Sequence, residues 1–101
     1  MARLAAHAQR AALAAFGQPA RLTIDGQAFD LRAIFVAAHE LVEIMGDAPV
    51  STTRPVLSVL ASSLPVQPAE GDEAEVAGRR YRIVDVRPDG LGMVKLILQE
   101  A

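Results

Sequence analysis

Hydrophobic and polar residues alternate along much of this chain, and the alternation is clearest between Pro55 and Gln99. Strands of about four to eight residues with regularly spaced turn signals are typical of an antiparallel meander. The turns are indicated by a break rich in Pro and Gly, by Ala77-Gly78 and by Arg87–Gly90. Four short strands are therefore predicted: Val56–Ala61, Ala74–Val76, Tyr81–Val86 and Met93–Gln99.

A hairpin is predicted nearer the N-terminus, centred on Asp25-Gly26. This pair favours the tight turn in which both central residues have positive φ. Leu22 and Ile24 alternate with polar residues before the turn, and Phe29–Val36 forms a second alternating run after it. We expect the apolar side chains of both strands to face a common core.

Residues 39–54 are ambiguous, because HELVEIM fits either a helical turn or a strand with apolar residues on both faces. Gly46–Pro49 is a turn or loop tip, and Arg54 precedes a proline, which favours an extended backbone. The preferred interpretation is a long hairpin with its tip near Gly46–Pro49. Such a mobile, polar arm is a natural contact element.

The segment Ala2–Phe16 is dense in alanine, the strongest helix former, and predicts an α-helix. Gly17 is expected to end the helix in the left-handed conformation, and Pro19 prevents its continuation. Polar residues interrupt the apolar start, so a retained amphipathic helix is favoured over a secretory signal. Its small apolar face packs either on its own domain or on a neighbouring copy or partner.

Both faces of the later strands carry apolar residues. In Tyr81–Val86, either both faces are covered or a bulge changes which face the side chains occupy. In the last strand, alternate residues from Val94 to Leu98 are expected to face inward, which leaves Met93 and Ile97 on the outer face. Exposed apolar residues there would indicate an interface.

About six strands and one helix in 101 residues predict a single, mainly β domain. The expected architecture is a small antiparallel β-barrel or sandwich with an N-terminal α-helix and a protruding hairpin or loop arm. The segments are the helix at 1–17, a hairpin at 19–38, the extended arm or loop at 39–54 and the β-meander at 55–101.

The composition argues against several functions. The net charge is −2, with acidic and basic residues mixed, and there is no cysteine. Nucleic-acid binding normally shows a clustered basic face, and disulfides and thiolate zinc sites require cysteine. His39-Glu40-x-x-Glu43 lacks the second histidine of a zinc-binding helix. We expect an assembly or binding module, with no enzyme activity, cofactor or metal.

One basic cluster is present, at Arg79, Arg80, Arg82 and Arg87. A nucleic-acid-binding barrel would need aromatic stacking platforms beside these residues, and Tyr81 points to the opposite face. Pairing across strands with Glu73 and Glu75 is the simpler explanation. A small β-barrel that binds nucleic acid or another protein remains the alternative, and a small regulatory or antitoxin-like protein also fits the composition.

An ordered set of motifs resembles the tailed-phage head–tail joining proteins, in particular the lambda-type tail-attachment (head completion) family. The similarity extends over nearly the whole chain, although the helix and the long loop match only in kind. The matching motifs are Phe16-Gly17, Pro55-Val56-Leu57, Gly71-Asp72, Gly78–Ile83 with isoleucine in place of the family's valine, and Asp89–Gly92.

The resemblance implies a structural virion protein with a barrel core, assembled in the host cytoplasm. Six or twelve copies would form a ring in the phage neck, between the portal or head–tail adaptor and the tail terminator or tail tube. The ring would seal the DNA-filled head and provide the tail docking surface. DNA would pass through its lumen without sequence-specific contact, and no membrane would be involved.

A closed ring requires two different, complementary faces on each copy. The expected interface residues lie in the helix, in the arm and on the outer face of the last strand, where the sequence shows no clear internal face. They are Leu4, Arg10, Leu13, Leu41, Glu43, Met45, Asp47, Val50, Met93 and Ile97.

Overall fold

The structure, a computed structural model, describes residues 2–101, with their side chains except those of residues 2–7, 9, 43 and 45. Over these residues the chain forms a closed, mainly β barrel with an N-terminal helix and a hairpin arm, as predicted. The elements are α1 (Ala2–Phe16), β1 (Gln18–Ile24), β2 (Gln27–Met45), β3 (Ala48–Leu60), a 3₁₀ helix (Ala61–Ser63), β4 (Glu73–Val76), β5 (Arg79–Pro88) and β6 (Met93–Glu100). The strands close in the order β1-β2-β3-β6-β5-β4.

Two tight turns set the register of the antiparallel strands. Asp25 and Gly26, between β1 and β2, have φ values of 52° and 79°. Both are positive, as the predicted hairpin turn requires. Ala77-Gly78, between β4 and β5, repeats this geometry with φ values of 54° and 76°. Ala77 therefore holds a backbone conformation that costs a residue with a side chain about 1–2 kcal/mol.

Aliphatic side chains from all six strands fill the barrel. Leu22, Leu57 and Ile83 are among those that are completely buried, and the ring of Phe35 lies 5.6 Å from that of Tyr81 at the edge of this core. The predicted inward-facing residues of β1, β2, β4 and β6 all contribute to this core. The predicted strand Val56–Ala61 ends one residue earlier than expected, because the chain enters the 3₁₀ helix at Ala61, which is exposed.

The register of β5 against β6 shifts between Ile83 and Asp85. After this bulge the side chains lie on the opposite faces of the sheet from those that simple alternation would give, so Val86 packs against the main core. Val84 packs against a second apolar cluster instead. Both explanations offered for this strand therefore hold, since the strand has a bulge and its second face is also covered.

Residues 39–54 form the arm, which is the outer part of the β2–β3 hairpin. Its strands pair from His39 and Arg54 to Met45 and Ala48, so the preferred hairpin interpretation is confirmed. The register shifts between Val36 and His39, and such irregularities bend a strand pair. Beyond this bend, Leu41 forms the second cluster with Val56 and Ile97.

The helix α1 ends against the start of the barrel. The Gly17 N–H donates to the Leu13 carbonyl oxygen at 2.8 Å, and a Cβ on Gly17 would lie 2.4 Å from that oxygen. The φ of Gly17 is not positive, so the predicted left-handed helix end is wrong. Glycine is required here for close approach. No helix in the described part of the chain is long and apolar enough to cross a membrane.

Candidate functional site

The arm presents an exposed apolar surface on one of its two sides. Residues directly opposite each other share a side, which places Val42 with Ser51 and Ile44 with Pro49. The Val42 and Ile44 side chains are 62% and 71% exposed. We call these four residues, together with Glu40, the outer side of the arm.

The other side of the arm packs on the chain's own barrel near the point where the two join, which we call the arm root. Leu41 is 8% exposed because it covers Val56 and Ile97. This corrects the expectation that Leu41 has no internal face. Its neighbours Val42 and Ile44 hold the exposed positions, and the sequence did not distinguish the two sides because both carry apolar residues.

The last strand requires a similar correction. Met93 and Ile97 were expected to be exposed on the outer face of β6, but they are only 9% and 2% exposed. Ile97 is covered because it packs with Leu41 of the arm, and with Val84 of β5, in the second cluster. Neither residue offers the surplus apolar surface from which an interface was inferred.

The arm is acidic at its tip and along its outer side. Residues 40–53 contain Glu40, Glu43 and Asp47 and no lysine or arginine. Glu40 accepts a hydrogen bond of 2.8 Å from the Ser51 hydroxyl, and Asp47 is exposed in the tip turn. The outer side therefore combines apolar side chains with the Glu40 carboxylate, Asp47 adds a negative charge at the tip, and the arm's one arginine, Arg54, lies where the arm joins the barrel.

A groove lies where α1 meets the barrel. It has a volume of about 580 Å³, and the residues that line it are Arg10, Leu13, Ala14, Arg32, Leu60 and Ser63. Leu13 is buried against the chain's own fold, which corrects the expectation that it has no internal face. Arg32 donates to the Gly17 carbonyl, which links β2 to the end of the helix. Arg10 is exposed beside an apolar floor.

The remaining predicted interface residues divide into two groups. Arg10, Asp47 and Val50 are exposed on the helix and arm, where a partner can reach them. The side chains of Leu4, Glu43 and Met45 lie outside the described residues.

The outer surface of β1, β4 and β5 carries charges of alternating sign. Arg80 lies opposite Glu75, and Arg82 lies opposite Glu73, as the cross-strand explanation predicted. Two other cluster members form ion pairs, Arg79 with Glu100 at 2.7 Å and Arg87 with Asp85 at 2.6 Å. The basic cluster is thus interleaved with carboxylates and does not form a continuous positive surface.

Arg21 and Asp30 join β1 to β2 through an ion pair with 2.8 Å between Nε and Oδ1. The Arg21 hydrogen bond and charge lower the pKa of Asp30, and Asp30 raises the pKa of Arg21. Because the pKa of Asp30 is depressed by folding, its small contribution is present above its ordinary pKa and is lost as the pH falls through the lowered value. Both groups are exposed, so this pair contributes little to stability.

Within the described part of the chain, no three His, Asp or Glu side chains are grouped so as to hold a metal ion. The sequence profile of a protein family described as phage head-tail attachment protein matches residues 1–98. No curated protein matches the chain.

Proposed function

The chain belongs to the phage head–tail attachment family, and from this premise we propose that its copies form a ring in the neck of the virion. Members of this family are structural proteins that join phage heads to tails, and this establishes the role of the chain at that level. The proposal adds that the ring sits on the portal or head–tail adaptor and provides the surface on which the tail terminator docks.

The exposed outer side of the arm is the observation that carries the proposal. A closed barrel has no free sheet edge through which to recruit a neighbour. The arm extends the β2–β3 hairpin beyond that closed sheet and carries Val42 and Ile44 in exposed positions. An apolar surface of this kind, surrounded by polar residues, is typical of a protein interaction site.

The surface charge supports passage of DNA without specific contact. Ring-shaped neck components need only a lumen that does not hold the DNA backbone tightly. Binding of DNA depends on clustered lysine and arginine, and here Arg80 and Arg82 lie opposite Glu75 and Glu73 on the neighbouring strand.

Shortening the arm tests the proposal. Replacing Ile44–Pro49 by Asn-Gly keeps the hairpin register. Met45 and Ala48 are the last pair before the present turn, and Glu43 and Val50, two residues further back, form a pair of the same hydrogen-bonding kind. Asn-Gly forms the tight turn that such a hairpin needs. Leu41 stays in place, so the barrel should remain folded, with its free energy of unfolding changed by about 1 kcal/mol or less.

Head–tail joining is measured by supplying this variant to a phage that lacks the natural protein and counting complete particles by electron microscopy. We expect separate heads and tails to accumulate. A control, Val66→Ser, changes an exposed apolar residue outside the arm and should leave joining unchanged. Normal joining by the folded, shortened variant would contradict the proposal.

A further inference from the structure

The arm and the helix groove of this chain have complementary chemistry. The arm offers exposed Val42 and Ile44 together with negative charge and no lysine or arginine across residues 40–53. The groove offers an apolar floor, formed in part by Leu60, with the positively charged Arg10 at its side. Surfaces that pair in this way combine apolar burial with charges of opposite sign at the rim.

The two surfaces cannot meet within one copy. Arg32 in the groove and Met45 at the end of the arm lie in the same strand, β2. The strand rises about 3.3 Å per residue, so the two residues are roughly 40 Å apart along the backbone, with the irregularity at Val36–His39 between them. Leu41 also holds the arm root onto the outer face of β3 and β6. The arm would have to leave its own barrel, and β2 would have to break, for the arm to reach the groove of the same chain.

We propose that the arm of each copy docks in the groove between α1 and the barrel of the next copy. The inference rests on the proposed ring and names the contact that builds it. Arm and groove are different surfaces, so the contact is heterologous, and repeating it generates a ring when the rotation closes. A second copy is the occupant that the structure supports, because the chain itself carries a segment with the required charge and apolar side chains.

A charge reversal tests the pairing. Arg10→Glu alters the groove and Asp47→Arg alters the arm tip, and both residues are exposed. Arg32 is left unchanged because it donates to the Gly17 carbonyl. Each single variant should reduce incorporation into joined particles roughly fivefold to tenfold, since like charges then face each other.

The double variant Arg10→Glu with Asp47→Arg separates this contact from others. In a heterologous ring every interface contains one arm and one groove, so the double variant restores opposite charges at every contact. Incorporation should recover to within about twofold of the unmodified chain. If the arm instead binds a head or tail protein, the two defects will multiply, and that result would overturn the inference.

Cysteine cross-linking provides a direct measurement, because the chain has no cysteine of its own. Ile44→Cys on the arm is combined with Ala14→Cys in the groove, two exposed positions. Oxidation of joined particles should give a ladder of covalent oligomers, since every copy links to two neighbours. The matched control combines Ile44→Cys with Ala28→Cys, an exposed alanine outside the groove, and should give no ladder.

The outcomes distinguish this inference from the function on which it rests. A ladder with Ala14→Cys and none with Ala28→Cys supports the arm-to-groove contact. Joined particles that contain the double-cysteine chain but show no ladder overturn the contact while leaving the joining role intact. If heads and tails join into complete particles that do not contain the unmodified protein, the proposed function is overturned.

Discussion

Two tight turns of the barrel differ in how well their residues suit the backbone conformation. Asp25-Gly26 and Ala77-Gly78 both form two-residue turns with positive φ, but only the first has residues suited to both positions. Asp tolerates the left-handed conformation because its short polar side chain can bond locally. Ala77, at a φ of 54°, has no such compensation.

Ala77→Asn should therefore stabilise the protein by about 0.5–1 kcal/mol, because asparagine adopts this turn position at lower cost. Urea unfolding followed by far-ultraviolet circular dichroism measures the change as a higher midpoint with an unchanged slope. Ala28→Asn is the control, because Ala28 is an exposed strand residue and should show no gain. A lower midpoint for Ala77→Asn would contradict this interpretation of the turn.

At the scale of elements, the strands and hairpins could be predicted from the sequence because their signals are local. Alternation and turn residues located β1, β4, β5 and β6 to within a few residues. The packing of the arm on β6 was not predictable, because it depends on Leu41 meeting Ile97, a contact between segments far apart in the chain. For the same reason Ile97 was expected to be exposed. The end of the helix before Gly17 was predicted correctly, but the left-handed conformation was not, because glycine is needed there for its close approach to Leu13.

The hairpin arm that carries the candidate site was predicted from its polar, extended composition. Which of its two sides is free was not predicted, because Leu41 and Val42 are both aliphatic and only the bend at Val36–His39 decides between them. The groove was not predicted either, since α1 supplies Arg10 while β2 supplies Arg32.

Leu41→Ala and Val42→Ala should separate the two sides of the arm. Leu41→Ala removes a buried side chain and should lower the free energy of unfolding by about 2–3 kcal/mol. Val42→Ala changes an exposed side chain and should alter stability by about 0.5 kcal/mol or less, while reducing head–tail joining. Urea unfolding and particle counting measure the two effects. Equal loss of stability in both variants would contradict the assignment of the two sides.

At the scale of the whole molecule, the main core of the barrel is built without the helix and the arm. The main core draws all of its buried members from the strands. Among the described side chains of α1, Leu13 is the one that is buried. The helix therefore lies outside the main core and forms one wall of the groove.

Removal of residues 1–16 should leave a folded barrel that cannot assemble. The loss in free energy of unfolding should be at least that of Leu13→Ala, about 2–4 kcal/mol, because both changes remove this buried side chain. The far-ultraviolet spectrum should lose helical signal and keep a cooperative unfolding transition. Leu13→Ala should retain partial incorporation into joined particles, whereas the truncated chain should have none, because only the truncation removes Arg10 and the wall of the groove. Loss of cooperative unfolding in the truncated chain would show that the helix is part of the folding unit, and the separation of barrel and attachments would then be wrong.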